Sequence, residues 1–340
     1  MSSSYVSRFI PFLVLTLLLA APGCDIIWHN GSDAPRGHVV VANRADGTLS
    51  IIDTRTDAAT TVPMPDDGEP MYVVATRHRV FVGDRANDRV VAFNARTLEV
   101  DGFVPTGAGV FHMWADPQGK QLWVVGDVDN TLTVVDPRAL EVLATVPVEG
   151  GTPHDMIVGP HGRYAYTTVF VGDDDEPDQV VQYDTRTFEE VARADVGEDP
   201  HLSLARQHDM LYVPSQGSDA VFVLDRVTLE EITALDVPGA HGAGMTRNGK
   251  LFYTTNLPGG GTDGLFAIDT RTNTLLGATD TPDTVPHNIA LTPNGKKLYV
   301  THSGENNTVT VYTASRQHPV PTFARSITVG NNPFGLAYVP

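Results

Sequence analysis

Seven times along the chain a short β-prone run ends in the same kind of polar turn. The runs are 48–56 (TLSIIDTRT), 89–97 (RVVAFNART), 131–139 (TLTVVDPRA), 179–187 (QVVQYDTRT), 220–228 (AVFVLDRVT), 264–272 (GLFAIDTRT) and 308–316 (TVTVYTASR). Asp53, Asn94, Asp136, Asp184, Asp225 and Asp269 lead six of the turns and Thr313 the seventh, at separations of 41 to 48 residues. A self-similar period near 40–45 with several short strands per unit is the mark of a propeller blade. The turn residues have a local explanation. An Asx side chain bonds the backbone two residues on and closes the turn, so these aspartates are read as turn formers and not as acids or ligands.

The other half of each unit also recurs: a leading proline, a short apolar strand, a Gly-containing turn and a Tyr-rich strand. In the last unit these are Pro286–Leu291, Pro293-Asn294-Gly295 and 298–301 (LYVT). In the fourth they are 153–158, Pro160-His161-Gly162 and 164–168. Asn-Gly and His-Gly supply the tight turn between two strands. The string P-H-x-I-A-x-x-P-x-G-K-x-L-Y-V-T, followed by a V-x-V-x-D-T strand, resembles the YVTN repeat. That family contains surface-layer and periplasmic propellers, with lactonase-like propellers as more distant relatives. The resemblance covers residues 38–340. It implies a fold more than an activity, because propellers host many functions.

The expected fold is all-β, a seven-bladed propeller of four-stranded antiparallel blades. Innermost strands should begin at Pro70, Val110, Pro153, Pro200, Ala240, Pro286 and Pro333. No such strand precedes His38–Asn43, and no blade follows Pro333–Val339. The last strand should therefore complete the first blade, which leaves the ring without an open edge.

Residues 1–23 read as a signal peptide. Arg8 is the sole charge before Cys24, and 9–21 is an almost wholly apolar run, too short to span a bilayer comfortably. Cys24, the only cysteine, follows Ala20-Ala21-Pro22-Gly23 and resembles a bacterial lipobox cysteine, although Ala21 stands where leucine is commonest and Pro22 is atypical. This implies lipidation at Cys24, with 24–37 as lipidated cysteine and linker, and an exported protein held to the cell envelope by its lipid. One cysteine rules out an intramolecular disulfide, a Cys-based zinc knuckle and a Cys-x-x-Cys-His haem site. Against 23 basic residues stand 41 acidic ones, a net charge of −18. Nucleic acid is therefore not an expected partner, since phosphate binding needs a basic surface.

Chemistry is expected at the channel mouth, where the innermost strands begin. The residue after each leading position is Phe334, Met71 and Phe111 in blades one to three, and His154, His201, His241 and His287 in blades four to seven. One arc is thus apolar and the other carries four imidazoles, which suit copper or zinc, with Met71 as a soft extra ligand for copper. The competing explanation is duplication of a Pro-His motif whose histidines only bond neighbouring blades. His302 is expected on the same face, as pocket lining. His112 falls one position later, in the column of Asp155, and strand alternation should turn it away. The loop 171–179 gathers Asp173, Asp174, Asp175, Glu176 and Asp178. Its spacing does not match an EF-hand, so calcium ranks below a solvated acidic loop. There is no Gly-x-Ser-x-Gly, P-loop or dinucleotide fingerprint.

Two functions fit these residues. The first is a non-enzymatic binding or scaffold protein, using the mouth for a small ligand or an envelope protein. The alternative is a metal-dependent enzyme with copper or zinc on the four histidines and an apolar substrate wall opposite.

Overall fold

The computed structural model describes residues 37–172, 176–205 and 208–340, together with Met1. Residues 2–23 of the signal segment, Cys24, nearly all of the linker, and Asp173, Asp174 and Asp175 of the acidic loop lie outside the described residues. Among those described, 28 strands form seven four-stranded antiparallel sheets. Six sheets use four consecutive strands. The seventh joins Pro333–Val339 to His38–Asn43, pairing Val39 with Tyr338, Val40 with Ala337 and Val41 with Leu336. The expected closure of the first blade by the C-terminal strand is therefore present.

The core follows from strand alternation. Central strands such as Arg89–Asn94 (RVVAFN) and Thr131–Asp136 (TLTVVD) are buried on both faces, and their Val, Ile and Phe residues fit the sheet surface. The outermost strands, such as Ala59–Pro63 and Glu189–Asp195, are largely exposed and carry Thr, Glu and Arg. Among the described residues the apolar core divides into seven clusters, each drawn from two neighbouring blades. The cluster holding Val39, Val41 and Ile52 with Tyr299, Val309 and Val311 joins the seventh blade to the first. Burial therefore runs around the ring without a break.

Polar hooks supplement the apolar contacts between blades. The Tyr166 hydroxyl donates to the Arg226 carbonyl (2.6 Å) and the Tyr253 hydroxyl to the Pro319 carbonyl (3.1 Å). Tyr299 donates to Asp57 (2.8 Å), which also holds the Lys297 ammonium (2.6 Å) across the closing interface. The Tyr of the repeat is thus placed to reach the next blade. The turn aspartates behave as expected: Asp53 Oδ1 accepts the N–H groups of Arg55 (2.9 Å) and Thr56 (2.8 Å), and Asp225 Oδ1 those of Val227 (2.8 Å) and Thr228 (2.9 Å).

One local feature decides what faces the channel. In six blades the innermost strand carries one more residue than its partner, a bulge directly after the leading position. In the second blade Pro70 pairs with Asp84 and Val73 with Val82. In the fifth blade the ladder is instead interrupted: Pro200 bridges Ser215, and the strand resumes at Ser203–Ala205. A bulge re-aims side chains and breaks the period of two at the point where the chain enters the mouth.

Candidate functional site

Six blades contribute one ring each to a closed circle at the mouth. Centroid separations are 6.0 Å for Phe334–Phe111, 4.6 Å for Phe111–His154, 4.9 Å for His154–His201, 3.8 Å for His201–His241, 4.9 Å for His241–His287 and 4.1 Å for His287–Phe334. The four histidines expected to share one arc are brought together as neighbours, and Phe111 and Phe334 complete the circle.

Met71 does not take part. It is fully buried in the apolar cluster between the second and third blades, and Tyr72 occupies the channel in its place. The Tyr72 ring lies 5.4 Å from both Phe111 and Phe334. The bulge itself is common to six blades; what sets the second apart is that Met71 packs into the apolar cluster while Tyr72, at the position of His112, meets the channel rings. Met71 is therefore neither pocket lining nor a soft ligand.

His112 is the second correction. It does not turn away from the channel, because the bulge between Val110 and Met113 lets two consecutive residues face inward. Its ring centroid lies 3.5 Å from that of Tyr72, with the planes tilted, 6.1 Å from His154 and 6.2 Å from His201. Nδ1 meets Asp155 Oδ1 at 2.6 Å. Asp155 also accepts the main-chain N–H groups of Met156 (2.6 Å) and Leu202 (2.7 Å). Burial by itself would raise the Asp155 carboxyl, but the adjoining His112 and the Leu202 N–H hold it below the usual carboxylate range. An ionised Asp155 only accepts, so His112 Nδ1 donates to it.

His302 is the third correction. It is buried within the seventh blade, with Nδ1 donating to the Thr284 carbonyl (2.9 Å) and Nε2 facing the Thr310 hydroxyl (2.8 Å). Both nitrogens are satisfied, one by the loop before the blade and one within the sheet, so His302 lines no pocket.

Asp199 was not foreseen. It precedes Pro200 in a left-handed conformation (φ 54°), with its N–H donating to Asp178 Oδ2 at 2.9 Å. That turn brings its carboxylate to His154 and His201, where one ligand atom from each of the three lies within 4.8 Å of the others. The one sequence signal was an acid two residues ahead of a channel histidine. Glu69, two residues before Met71, has the same spacing but pairs with Arg44 at 2.6 Å.

Electrostatics keep the imidazoles neutral. Burial drives His154 and His241 well below the ordinary histidine value, and their like-charged neighbours push the same way. Burial also lowers His201, against the pull of Asp155 and Asp199, and takes His287 down to about 3. Several nitrogens lack a protein partner among the described residues: His112 Nε2, His201 Nδ1 and both nitrogens of His241, all buried. His154 Nε2 and His201 Nε2 face each other at 3.2 Å. His287 Nδ1 is occupied by the Asn288 amide at 2.9 Å. On the other arc, the guanidinium groups of Arg44 and Arg85 sit 5.5 Å and 6.0 Å from the Phe334 and Phe111 rings. Neutral imidazoles beside a carboxylate make a donor set suited to a borderline cation. Two clefts lie elsewhere, one of about 480 Å³ beside Thr279 and residues 317–323 and one of about 420 Å³ beside Arg44 and Glu69. They bring together no comparable set of donors.

Seven four-stranded blades closed through the C-terminal strand, with a ring of side chains at the mouth, define a seven-bladed β-propeller. Solved structures share this fold. Hydrazine synthase of Kuenenia stuttgartiensis aligns at a TM-score of 0.66 with 18% identity, over 79% of this chain and 89% of that one. A candidate 6-phosphogluconolactonase of Bacteroides uniformis aligns at 0.72 with 19% identity, over 89% and 99%. At such identities the likeness is one of fold. No family model and no curated protein matches the chain.

Proposed function

We propose that the protein is an exported, lipid-anchored binding protein of the cell envelope, and that its propeller takes a small ligand at the channel mouth. The observation that supports this reading is the set of buried, unpartnered imidazole nitrogens converging there. Leaving polar atoms buried without partners costs free energy, about 1–3 kcal/mol each, so a ligand that engages them recovers that cost. The ligand is small, because His201 and His241 are buried and a protein surface does not reach them. The anchor rests on the signal-like residues 1–23 and on Cys24, and the YVTN affinity on the repeat residues.

Native mass spectrometry of protein extracted from membranes in detergent tests the binding. The wild type should carry a bound mass that disappears in His241→Phe, a variant that keeps the ring filled. The same intact mass for the native and denatured wild type would overturn the reading. Cys24→Ser should move a folded propeller from the membrane to the soluble fraction, and unchanged partitioning would remove the anchor.

A further inference from the structure

We infer that the small ligand is a divalent transition-metal ion of the zinc or copper type, held by His154, His201 and Asp199 with His241 beside them. The inference rests on the binding reading above and names the chemistry of the same site.

The donor set points to such an ion. Three ligand atoms from His154, Asp199 and His201 already lie within 4.8 Å of one another. The two Nε2 atoms are 3.2 Å apart. Bonds of about 2.0–2.1 Å to a tetrahedral ion place two nitrogens about 3.4 Å from each other, so the imidazoles need move only slightly. At that distance one Nε2 must donate a proton to the other unless a cation takes its place. His201 and His241 are 2% and 5% exposed, and three of their four ring nitrogens have no protein partner. The His241 ring is 3.8 Å from that of His201, close enough for a small rotation to bring a nitrogen toward the ion as fourth donor. A carboxylate offsets one of the two positive charges. Two or three imidazoles, one carboxylate and no thiolate suit zinc or copper and are a poor match for calcium, which takes oxygen ligands.

The surroundings fit ligands held in place. Asp199 is oriented by the hydrogen bond from its main chain to Asp178 and by the Gln216 N–H on its carbonyl (3.2 Å). His154 stacks on Phe170 (4.3 Å) and packs at a tilt against Phe111 (4.6 Å). Outer contacts of this kind fix the direction of a ligand's lone pair.

The test uses untagged full-length protein stripped with chelator and desalted, titrated separately with Zn²⁺ and Co²⁺. Elemental analysis should find one Zn²⁺ per chain after desalting, and Co²⁺ should give the intense visible bands of a tetrahedral site. Asp199→Asn and His154→Phe, with circular dichroism like that of the wild type, should each weaken Zn²⁺ binding at least tenfold and reduce those bands. His161→Ala, an exposed turn residue, should change neither. Stoichiometry well below one, or Zn²⁺ affinity unaltered by both substitutions, would overturn the site. Weak octahedral Co²⁺ bands that persist in Asp199→Asn would place the ion on surface carboxylates and overturn it too. If the stripped protein fails these tests while the membrane-extracted protein still carries an organic mass sensitive to His241→Phe, binding at the mouth stands and the metal falls.

Discussion

Nδ1 of His112 lies 2.6 Å from Oδ1 of Asp155, and Oδ2 of the same carboxylate accepts the Leu202 N–H at 2.7 Å. One buried group of the fourth blade thereby ties the third blade to the fifth, next to the ring of imidazoles. The contact is made by two residues that strict alternation would have turned away from the channel.

Replacing Asp155 with Asn should destabilise the fold by about 2–4 kcal/mol at pH 7, because a buried carboxylate with three donors loses its charge. The folded-state pKa of Asp155 is depressed, so its contribution is fully present above the unfolded value near 3.9. It is lost as pH falls through the lower folded value. Urea unfolding of both proteins should therefore show a gap at pH 7 that narrows below about pH 4.

The mouth histidines carry the opposite charge type but the same direction in pH. His154, His201, His241 and His287 stay neutral when folded, whereas the unfolded chain takes up protons below about pH 6.5. Stability of chelator-treated protein should then fall with acidification by up to about 1.4 kcal/mol per pH unit for each such residue. For His287 this window runs from about 6.5 down to about 3. Denaturant unfolding between pH 7.5 and 5 should show this slope, and His287→Gln should reduce it by one residue's share.

Two tyrosines of the fourth blade should respond differently to loss of the hydroxyl. Tyr166 donates to the Arg226 carbonyl of the next blade, so Tyr166→Phe should cost about 1 kcal/mol. The buried Tyr183 hydroxyl has no protein partner among the described residues. Tyr183→Phe should therefore be neutral or slightly stabilising. Paired thermal melts measure the difference.

Deleting residues 333–340 should open the ring. It removes the strand paired with His38–Asn43, exposes that edge, and takes Phe334 from the mouth. An unpaired edge templates association, so the truncated protein should aggregate or oligomerise on size-exclusion chromatography. A monomer with an unchanged melting temperature would contradict the closure.

The repeat in the sequence determined the number of blades, the turn role of Asp53 and its counterparts, and the closure by Pro333–Val339, because each depends on local turn chemistry and on counting strands. It also placed His154, His201, His241 and His287 in one column, since a period fixes equivalent positions. Which neighbouring side chains join them was settled only in three dimensions. A bulge without any sequence mark recurs in six blades and lets the second residue, Tyr72 or His112, face inward, while Met71 is drawn into the core by its apolar neighbours. Asp199 reaches the imidazoles through a left-handed turn braced by Asp178, a residue 21 positions away. His302 is withdrawn by two hydrogen bonds, to Thr284 in the preceding loop and to Thr310 in its own blade. Periodicity carries information along a strand only while its register holds, and the register breaks where these strands enter the mouth.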